Sequence, residues 1–285
     1  MVRIADIKEN PYFVPFAGIK PCKSPTSYFN TQSLRQLFDG SVGFLRVPGF
    51  VNKELAHSLG RWILHHPDRT EYGQNVADEN APGKTKYIYY QVDRVGFPRN
   101  QLIGKPPDAP EWETYFEKRN EISSGMYEIT GHRHPIEKLL TILKDKWPYG
   151  AEYEKHQNRN LFSGIGRVTV PGKDSLLEKL PHVDGTWPYE KHFSANVYLY
   201  VPNTGGELEV FHKPELTAKE VGEVNSDRDF RQEGWPSTLI KPRLGDLILI
   251  NTRRPHAVKT YEKGIRVSVA TFIGYDSGKP LKFYS

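Results

Sequence analysis

A histidine and an aspartate stand two residues apart in His182-Val183-Asp184, and this pair has the residue types and spacing of metal ligands. In an extended strand, residues i and i+2 point to the same face, so an imidazole nitrogen and a carboxylate oxygen can be aimed at one point. Two ligands from one strand hold a metal poorly, and a third must come from elsewhere. The best candidate is His256, 72 residues after Asp184 and just beyond the apolar run 247–250. Two histidines and one carboxylate on one side of a metal form the facial triad suited to non-haem Fe(II) oxygen chemistry.

An arginine follows ten residues after His256, inside the strand-like run 265–270. Its β-branched neighbours predict that Arg266 is buried. A buried cation requires an anion, because an unpaired buried charge is too costly to keep. The sequence therefore predicts an anionic group beside Arg266.

Composition limits the class of protein. A chain of 285 residues fits one β-rich enzyme domain with helical additions, and 12% aromatic residues exclude a disordered chain. The net charge of +5 is spread along the sequence, which is typical of a charged surface and not of a nucleic-acid-binding block. The single Cys22 cannot form an internal disulfide, and neither an apolar leader nor a membrane-length apolar run is present. We expect a cytoplasmic protein that binds a small molecule but neither nucleic acid nor membrane, and its oligomeric state stays open.

The first half of the chain predicts a support region for a core that follows. Residues 1–31 contain four prolines and read as an irregular arm. Asn52 has the position of a helix N-cap, and apolar residues at Leu55, Leu59 and Ile63 form one face of the helix that follows. The further helices are predicted at 31–38, from 110 onward and at 135–147, with a strand at 87–92 and a polar loop at 67–86.

From residue 163 onward, short strands alternate with Gly/Pro turns. The predicted strands are 165–170, 182–184, 193–201, 207–211, 238–241, 246–252, 256–260 and 265–272. Many short strands at even spacing favour a β-sandwich or barrel. The fold class is therefore mainly β with flanking helices (α+β).

The order of these residues resembles that of the Fe(II)/2-oxoglutarate-dependent oxygenases, whose core is a double-stranded β-helix of the jelly-roll, cupin-like kind. The resemblance is to the branch of small-molecule hydroxylases and halogenases with a prolyl-hydroxylase-like barrel. It covers about residues 160–275 and depends on five motifs in sequence: His182-Val183-Asp184, Gly205-Gly206-Glu207-Leu208, Gly245-Asp246, His256 and Arg266-Val267-Ser268. It implies one domain over 1–285, with an arm and helical support region at 1–160, the catalytic core at 161–275 and a C-terminal tail at 276–285.

The resemblance also implies roles for single residues. Fe(II) would be ligated by three residues, His182, Asp184 and His256, with 2-oxoglutarate and O2 at the other metal positions. Arg266 would pair with the distal carboxylate of 2-oxoglutarate, a geometry that suits a guanidinium, and Ser268 would donate its hydroxyl to the same carboxylate. Asn196, Tyr198 and Tyr200 are predicted to lie on one face of the next strand, and Tyr198 is the candidate for a further cosubstrate contact. Arg167 and Thr169 are candidates for wall residues.

The implied reaction is hydroxylation of an unactivated C–H bond in a free amino acid or natural-product intermediate, with release of succinate and CO2. Asp184 stands where the related halogenases have a small residue, which favours hydroxylation. Phe272 stands where the nucleic-acid-repair branch has a second arginine, which disfavours that branch. Desaturation, cyclisation and peptidyl hydroxylation stay open, as do a cupin-type metal enzyme without 2-oxoglutarate and a non-catalytic barrel.

Other polar residues near these motifs have alternative interpretations. His192 and His212 lie near the predicted ligands in sequence, and a different alignment would make them ligands instead. Because no arginine follows His212 at a suitable strand spacing, we interpret His212 as structural or wall-lining. Five further histidines are predicted to lie at the surface: His65, His66, His132, His134 and His156. The insertion 213–237 and the loop 187–189 are predicted to form a lid, with Tyr87–Tyr90 and Arg253 near the mouth.

Overall fold

The structure is a computed structural model that describes residues 30–77, 81, 84–169, 181–184, 188–217, 220 and 230–285. The predicted N-terminal arm lies almost wholly outside these residues. So do Trp187 and, from the predicted lid, residues 218–219 and 221–229. The lid therefore stays a prediction.

In the described part of the chain, four α-helices precede most of the strands. They are α1 Thr31–Phe38, α2 Lys53–Leu64, α3 Glu111–Ile129 and α4 Pro135–Lys146, with a 3₁₀ turn at Arg99–Leu102. Asn52 caps α2 as predicted, because its side-chain oxygen accepts a hydrogen bond of 2.9 Å from the Leu55 N–H. Asn30 caps α1 in the same way through the Ser33 N–H, at 2.7 Å. Among the described residues, no helix combines the length and apolar character that a membrane span requires.

The strands outnumber the helices, so the predicted class of mainly β with flanking helices is confirmed. The described strands are β1 Phe44–Val47, β2 Thr70–Ala77, β3 Thr85–Val95, β4 Ala151–Tyr153, β5 Lys155–His156, β6 Arg159–Asn160, β7 Ile165–Thr169, β8 Lys191–Tyr200, β9 Leu208–Phe211, β10 Ser237–Ile240, β11 Leu247–Asn251, β12 His256–Val258, β13 Arg266–Tyr275 and β14 Leu281–Tyr284.

Most strands of the second half of the chain belong to one of two sheets. The large sheet has the order β1-β11-β8-β13-β7-β3-β2, with β14 and β4 attached beside the end of β13. The small sheet has the order β10-β9-β12, and His182 extends it through an antiparallel bridge to His256. From β7 to β13 the chain thus passes repeatedly between the two sheets, so residues distant in sequence become neighbours.

The two sheets pack face to face over an apolar layer. This layer joins residues of the large sheet, among them Tyr198 and Ile248, to Leu208 and Val210 of the small sheet. The opposite face of the large sheet packs against the helices through a second cluster, which contains Val197, Leu199, Val267 and Val269. Alternation along β13 therefore directs Arg266 and Ser268 to the face between the sheets, here called the inner face.

A β-bulge at Leu199 changes the direction of β8. Ser268 pairs with Tyr198, whereas Val267 pairs with Tyr200, so β8 has one extra residue here. Tyr200 consequently turns toward α2, where a Cβ added at Gly60 would lie 2.6 Å from Tyr200 Cε2. The prediction that Tyr200 shares a face with Tyr198 was wrong, because the bulge reverses the alternation at that point.

Several elements escaped prediction. Residues 70–77, predicted as a loop, form β2 at the edge of the large sheet. The segment predicted as a C-terminal tail contains β14, whose Leu281, Phe283 and Tyr284 are fully buried. Apolar and polar residues alternate only weakly in these two segments. They form strands because other strands of the large sheet pair with them.

Candidate active site

The backbone of His182 pairs directly with that of His256. The His182 N–H donates to the His256 carbonyl at 2.9 Å, and the His256 N–H donates to the His182 carbonyl at 2.8 Å. The two imidazole rings consequently lie with centroids 4.6 Å apart. Two residues separated by 74 positions in sequence are thus placed side by side by one antiparallel bridge.

Asp184 completes a cluster with the two histidines. One ligand atom from each of His182, Asp184 and His256 can be chosen so that all three lie within 4.8 Å of one another. The Asp184 N–H donates to the Thr252 carbonyl at 3.0 Å, and its Oδ1 lies 4.0 Å from His182 Nε2. Imidazole nitrogen and carboxylate oxygen on one side of a point form the donor set that a facial Fe(II) triad requires, so these residues fit that metal.

The third ligand candidate, His256, is oriented by a backbone carbonyl. Its Nδ1 lies 2.9 Å from the Arg254 carbonyl oxygen, which can only accept, so Nδ1 carries the proton and donates. Nε2 therefore keeps its lone pair for a metal. Arg254 is itself buried, and its guanidinium donates to the Lys213 and Gly40 carbonyls at 2.9 and 2.6 Å. These bonds tie the turn before His256 to two other parts of the fold.

The segment around Val183 is anchored on its other side. Val183 packs against a cluster of Phe211, Leu216 and Phe230, which belongs to the small sheet and the two ends of the 213–237 insertion. Because Val183 points away from its neighbours, His182 and Asp184 face the site together. The His182 and Asp184 side chains are 39% and 24% exposed, whereas His256 is 7% exposed, so the cluster is open on one side.

Arg266 is buried as predicted, at 8% exposure, and it contacts Tyr198. The Arg266 Nη2 donates to the Tyr198 hydroxyl at 3.4 Å, and its guanidinium carbon lies 5.3 Å from the Tyr198 ring centroid. Tyr198 in turn packs in the apolar layer with Val210, the cross-strand partner of His256. Arg266 and buried Ser268 therefore line the same inter-sheet space as the histidine cluster. Their contacts with a cosubstrate stay predictions, as does that of Tyr198.

Thr252 was not singled out from the sequence, and His192 was noted there only for its position near the predicted ligands. Thr252 accepts from the Asp184 N–H, and its hydroxyl lies 2.6 Å from His192 Nδ1 while it donates to the His192 carbonyl at 3.0 Å. His192 is fully buried, and this burial lowers its pKa to about 4 although the negative charge of Asp184 opposes the shift. His192 is therefore a neutral support residue.

His212, interpreted as structural, bonds through Nε2 to the Thr238 hydroxyl at 2.8 Å.

An aromatic wall adjoins His192. The His192 ring lies 4.7 Å from the Phe272 ring and 5.9 Å from the Tyr284 ring, between centroids. Tyr189, from the loop after Asp184, stacks on Tyr284 at 5.7 Å. Arg253, predicted near the mouth, donates to the Tyr189 and Glu190 carbonyls and so fixes this loop. Phe272, named in the sequence analysis because it stands where the nucleic-acid-repair branch has an arginine, lies beside His192.

Comparison with solved structures finds similar chains of 2-oxoglutarate-dependent iron enzymes. An N-substituted L-amino acid dioxygenase from Burkholderia ambifaria has a TM-score of 0.48 at 10% identity, over 76% of this chain and 100% of that one. The carbocyclase SnoK from nogalamycin biosynthesis, described as non-haem and α-ketoglutarate dependent, has a TM-score of 0.47 at 15% identity, over 93% of this chain and 97% of that one. A 2OG-Fe(II) oxygenase family oxidoreductase from Burkholderia pseudomallei has a TM-score of 0.46 at 18% identity, over 91% of this chain and 95% of that one.

These similar structures belong to the class that the sequence resembles. Neither a protein-family model nor a curated protein matches the chain. At TM-scores below 0.5, the likeness decides neither reaction nor substrate, and the chemistry proposed for this chain rests on its own residues.

Proposed function

We propose that this protein is an Fe(II)- and 2-oxoglutarate-dependent dioxygenase that hydroxylates an unactivated C–H bond of a small molecule, a free amino acid or a natural-product intermediate. The observation that carries the proposal is the cluster of His182, Asp184 and His256, with ligand atoms within 4.8 Å of one another, in the same inter-sheet space as buried Arg266. With Fe(II) and 2-oxoglutarate bound, such a site uses O2 to oxidise a C–H bond while 2-oxoglutarate yields succinate and CO2.

The strand order supports a double-stranded β-helix as the core of this enzyme. The large sheet contains β11-β8-β13-β7, and the small sheet contains β10-β9-β12 followed by the His182 bridge. Chain order alternates between them in the way that two facing four-stranded layers of a jelly roll require. We take 161–275 as this core within one domain, with the preceding residues as its support and β14 as a late addition to the large sheet.

The protein's task at the metal is to hold three donors in a fixed geometry. His182 Nε2 and Asp184 Oδ1 come from one extended segment whose backbone is bonded at His182 and Asp184 to His256 and Thr252. His256 presents Nε2 because its Nδ1 donates to Arg254 O. Such outer hydrogen bonds raise the basicity of the ligand and prevent the ring from turning.

Arg266 is the residue that distinguishes this proposal from a cupin-type enzyme without 2-oxoglutarate. A guanidinium can bind a carboxylate through two parallel hydrogen bonds, and burial strengthens the pairing by excluding water. The Tyr198 hydroxyl limits the rotation of Arg266, and Ser268 offers a second donor two residues along the same face. These three residues are proposed to hold the distal carboxylate of 2-oxoglutarate.

Asp184 bears on the type of oxidation. A carboxylate at this ligand position leaves no place for a halide, so hydroxylation is the favoured outcome. Desaturation, cyclisation and peptidyl hydroxylation use the same cofactors. A mass spectrum of the product would separate hydroxylation, which adds one oxygen atom, from desaturation and cyclisation, which each remove two hydrogen atoms.

The function is tested by turnover in air. Purified protein with Fe(II), ascorbate and 2-oxoglutarate should form succinate and consume O2, faster when a pool of amino acids is added. Arg266→Ala should lose most of this turnover at limiting 2-oxoglutarate. O2 consumption that proceeds without 2-oxoglutarate would favour the cupin-type alternative, and a folded protein with no turnover of either kind would favour the non-catalytic barrel.

A further inference from the structure

The turn between β11 and β12 supplies the backbone carbonyls that hold two of the proposed ligands. The Thr252 carbonyl accepts the Asp184 N–H at 3.0 Å, and the Arg254 carbonyl lies 2.9 Å from His256 Nδ1. A shift of this turn would therefore move both ligands at once. Whatever fixes the shape of the turn also fixes the geometry of the ligand cluster.

Asn251, the last residue of β11, closes this turn with its side chain. Its Oδ1 accepts the Arg253 N–H at 3.0 Å, and its backbone carbonyl accepts the Arg254 N–H at 3.2 Å. An asparagine that bonds to the backbone two residues further on forms an Asx turn. Because Asn251 is fully buried, water does not compete for these hydrogen bonds.

The amide of Asn251 is oriented by Glu215, a residue of the insertion 213–237. Glu215 Oε2 accepts from Asn251 Nδ2 at 2.7 Å, and Oε1 pairs with Lys191 Nζ at the start of β8. An ionised carboxylate can only accept, so Asn251 must turn its NH2 group to Glu215 and its oxygen to the Arg253 N–H. Hydrogen bonds to a charged group are stronger than those between neutral groups. Glu215 thus selects the amide orientation that closes the turn.

The backbone beside Glu215 is attached to the same turn. The Leu216 N–H donates to the Arg253 carbonyl at 2.9 Å, and the Arg254 guanidinium donates to the Lys213 carbonyl at 2.9 Å. The Glu215 side chain is half-buried. Backbone and side-chain contacts together keep the carboxylate within reach of the amide.

We infer that Glu215 is a positioning residue of the metal centre, which acts through Asn251 on the turn that holds Asp184 and His256. Glu215 bonds to Asn251 and Lys191, neither of which is a ligand candidate, so its effect reaches the ligands through the turn. The inference rests on the proposed function, because the role exists only if the cluster binds a metal. It gives the first residues of the insertion a part in metal binding.

The test measures metal affinity and the ligand field of the bound metal, without turnover. Apo protein is titrated anaerobically with Co(II), a spectroscopic substitute for Fe(II), in competition with a chelator. Glu215→Ala should weaken Co(II) binding about 10- to 100-fold, the range for outer hydrogen-bond partners of metal ligands. It should also change the d–d absorption, because Asp184 and His256 are held less firmly. Glu215→Gln retains an acceptor for Asn251 and should bind Co(II) roughly fivefold more tightly than Glu215→Ala.

A double-mutant cycle separates this route from a general loosening of the fold. If Glu215 acts through Asn251, the protein with both Glu215→Ala and Asn251→Ala should bind Co(II) no more weakly than Asn251→Ala alone. Independent contributions would multiply the two losses, and that result would overturn the inference. If Asn251→Ala does not fold, the two Glu215 variants decide the question by themselves.

A matched control is Glu152→Ala. Glu152 also forms an ion pair with a lysine, Lys282, but this pair joins β4 to β14, outside the turn 251–255. Partly exposed ion pairs of this kind contribute little, so its loss should leave the Co(II) affinity within about twofold of wild type. The comparison shows whether the position of Glu215 matters, beyond the loss of one carboxylate.

The outcomes distinguish the inference from the proposed function. A folded Glu215→Ala protein with wild-type Co(II) affinity and an unchanged d–d spectrum would overturn the inference and leave the proposed function intact. Equal weakening in Glu215→Ala and Glu152→Ala would also overturn it, since any lost carboxylate would then have the same effect. A folded wild-type protein that binds no Co(II) would contradict the proposed function, and the inference would fall with it.

Discussion

His182 and His256 are joined by a reciprocal pair of backbone hydrogen bonds, of 2.9 and 2.8 Å. The separation of the two imidazoles is therefore set by strand pairing and not by side-chain contacts. Two residues further along, Asp184 is held by a single backbone bond, from its N–H to the Thr252 carbonyl at 3.0 Å. All three proposed ligands thus depend on one short backbone ladder, so the geometry of the site exists before any metal binds.

The hydrogen bonds of the Arg254 guanidinium predict that a residue outside the ligand set affects metal affinity. Arg254→Met removes the guanidinium that bonds to the Gly40 and Lys213 carbonyls and should loosen the carbonyl that orients His256. Outer-shell changes of this kind weaken metal binding roughly 10- to 100-fold. The dissociation constant can be measured by chelator competition under anaerobic conditions. Arg243→Met, at an exposed arginine, is the control. An Arg254 variant that is folded and binds metal as tightly as wild type would contradict this role.

A buried histidine predicts the acid sensitivity of the fold. His134 was predicted at the surface, but it is 5% exposed, and its Nδ1 accepts the Ile136 N–H at the start of α4. Burial lowers the pKa of His134 to about 4, against a weaker opposing effect of Glu137. The unfolded chain therefore binds more protons between about pH 6.5 and 4, and stability falls as the pH falls through this range. For His134 alone, the free energy of unfolding falls by about 2 kcal/mol between pH 7 and pH 5.

Urea unfolding at the two pH values measures this loss. His134→Asn keeps an N-cap but removes the titration, so its stability should fall less between pH 7 and 5 than that of wild type. His132→Asn, at an exposed neighbour, should behave as wild type does. Equal losses in wild type and His134→Asn would show that another group governs the acid sensitivity.

Close packing of α2 on β8 predicts an unusual response to a helix-favouring substitution. Gly60→Ala would gain about 1 kcal/mol from helix propensity at an exposed position. Here its Cβ would lie 2.6 Å from Tyr200 Cε2 and 3.2 Å from Leu199 Cβ. Overpacking costs about 1 to 3 kcal/mol, so a net loss of the free energy of unfolding is expected. The loss should shrink in a Tyr200→Ala background, and a Gly60→Ala protein more stable than wild type would disprove the close contact.

Local features of the chain were predictable where a single residue type or the regular spacing of apolar residues determines them. The Asn52 cap, the apolar face of α2 and the strands β7 to β13 follow from capping chemistry and alternation. The His182/Asp184 pair was visible because a strand places i and i+2 together. The bulge at Leu199 and the burial of His134 were not predictable, since each depends on a partner distant in sequence. The same is true of Thr252, whose backbone carbonyl accepts the Asp184 N–H and whose hydroxyl bonds to His192.

The most direct measurement of the central claim is an anaerobic titration of apo protein with Fe(II) and then 2-oxoglutarate, followed by the visible band of the chelated 2-oxo acid. The account predicts one equivalent of each at saturation, no band in His182→Ala or His256→Ala, and at least tenfold weaker 2-oxoglutarate binding in Arg266→Lys. His212→Ala, outside the cluster, should keep the band. A band that survives in His182→Ala, or a folded wild-type protein without one, would contradict the account.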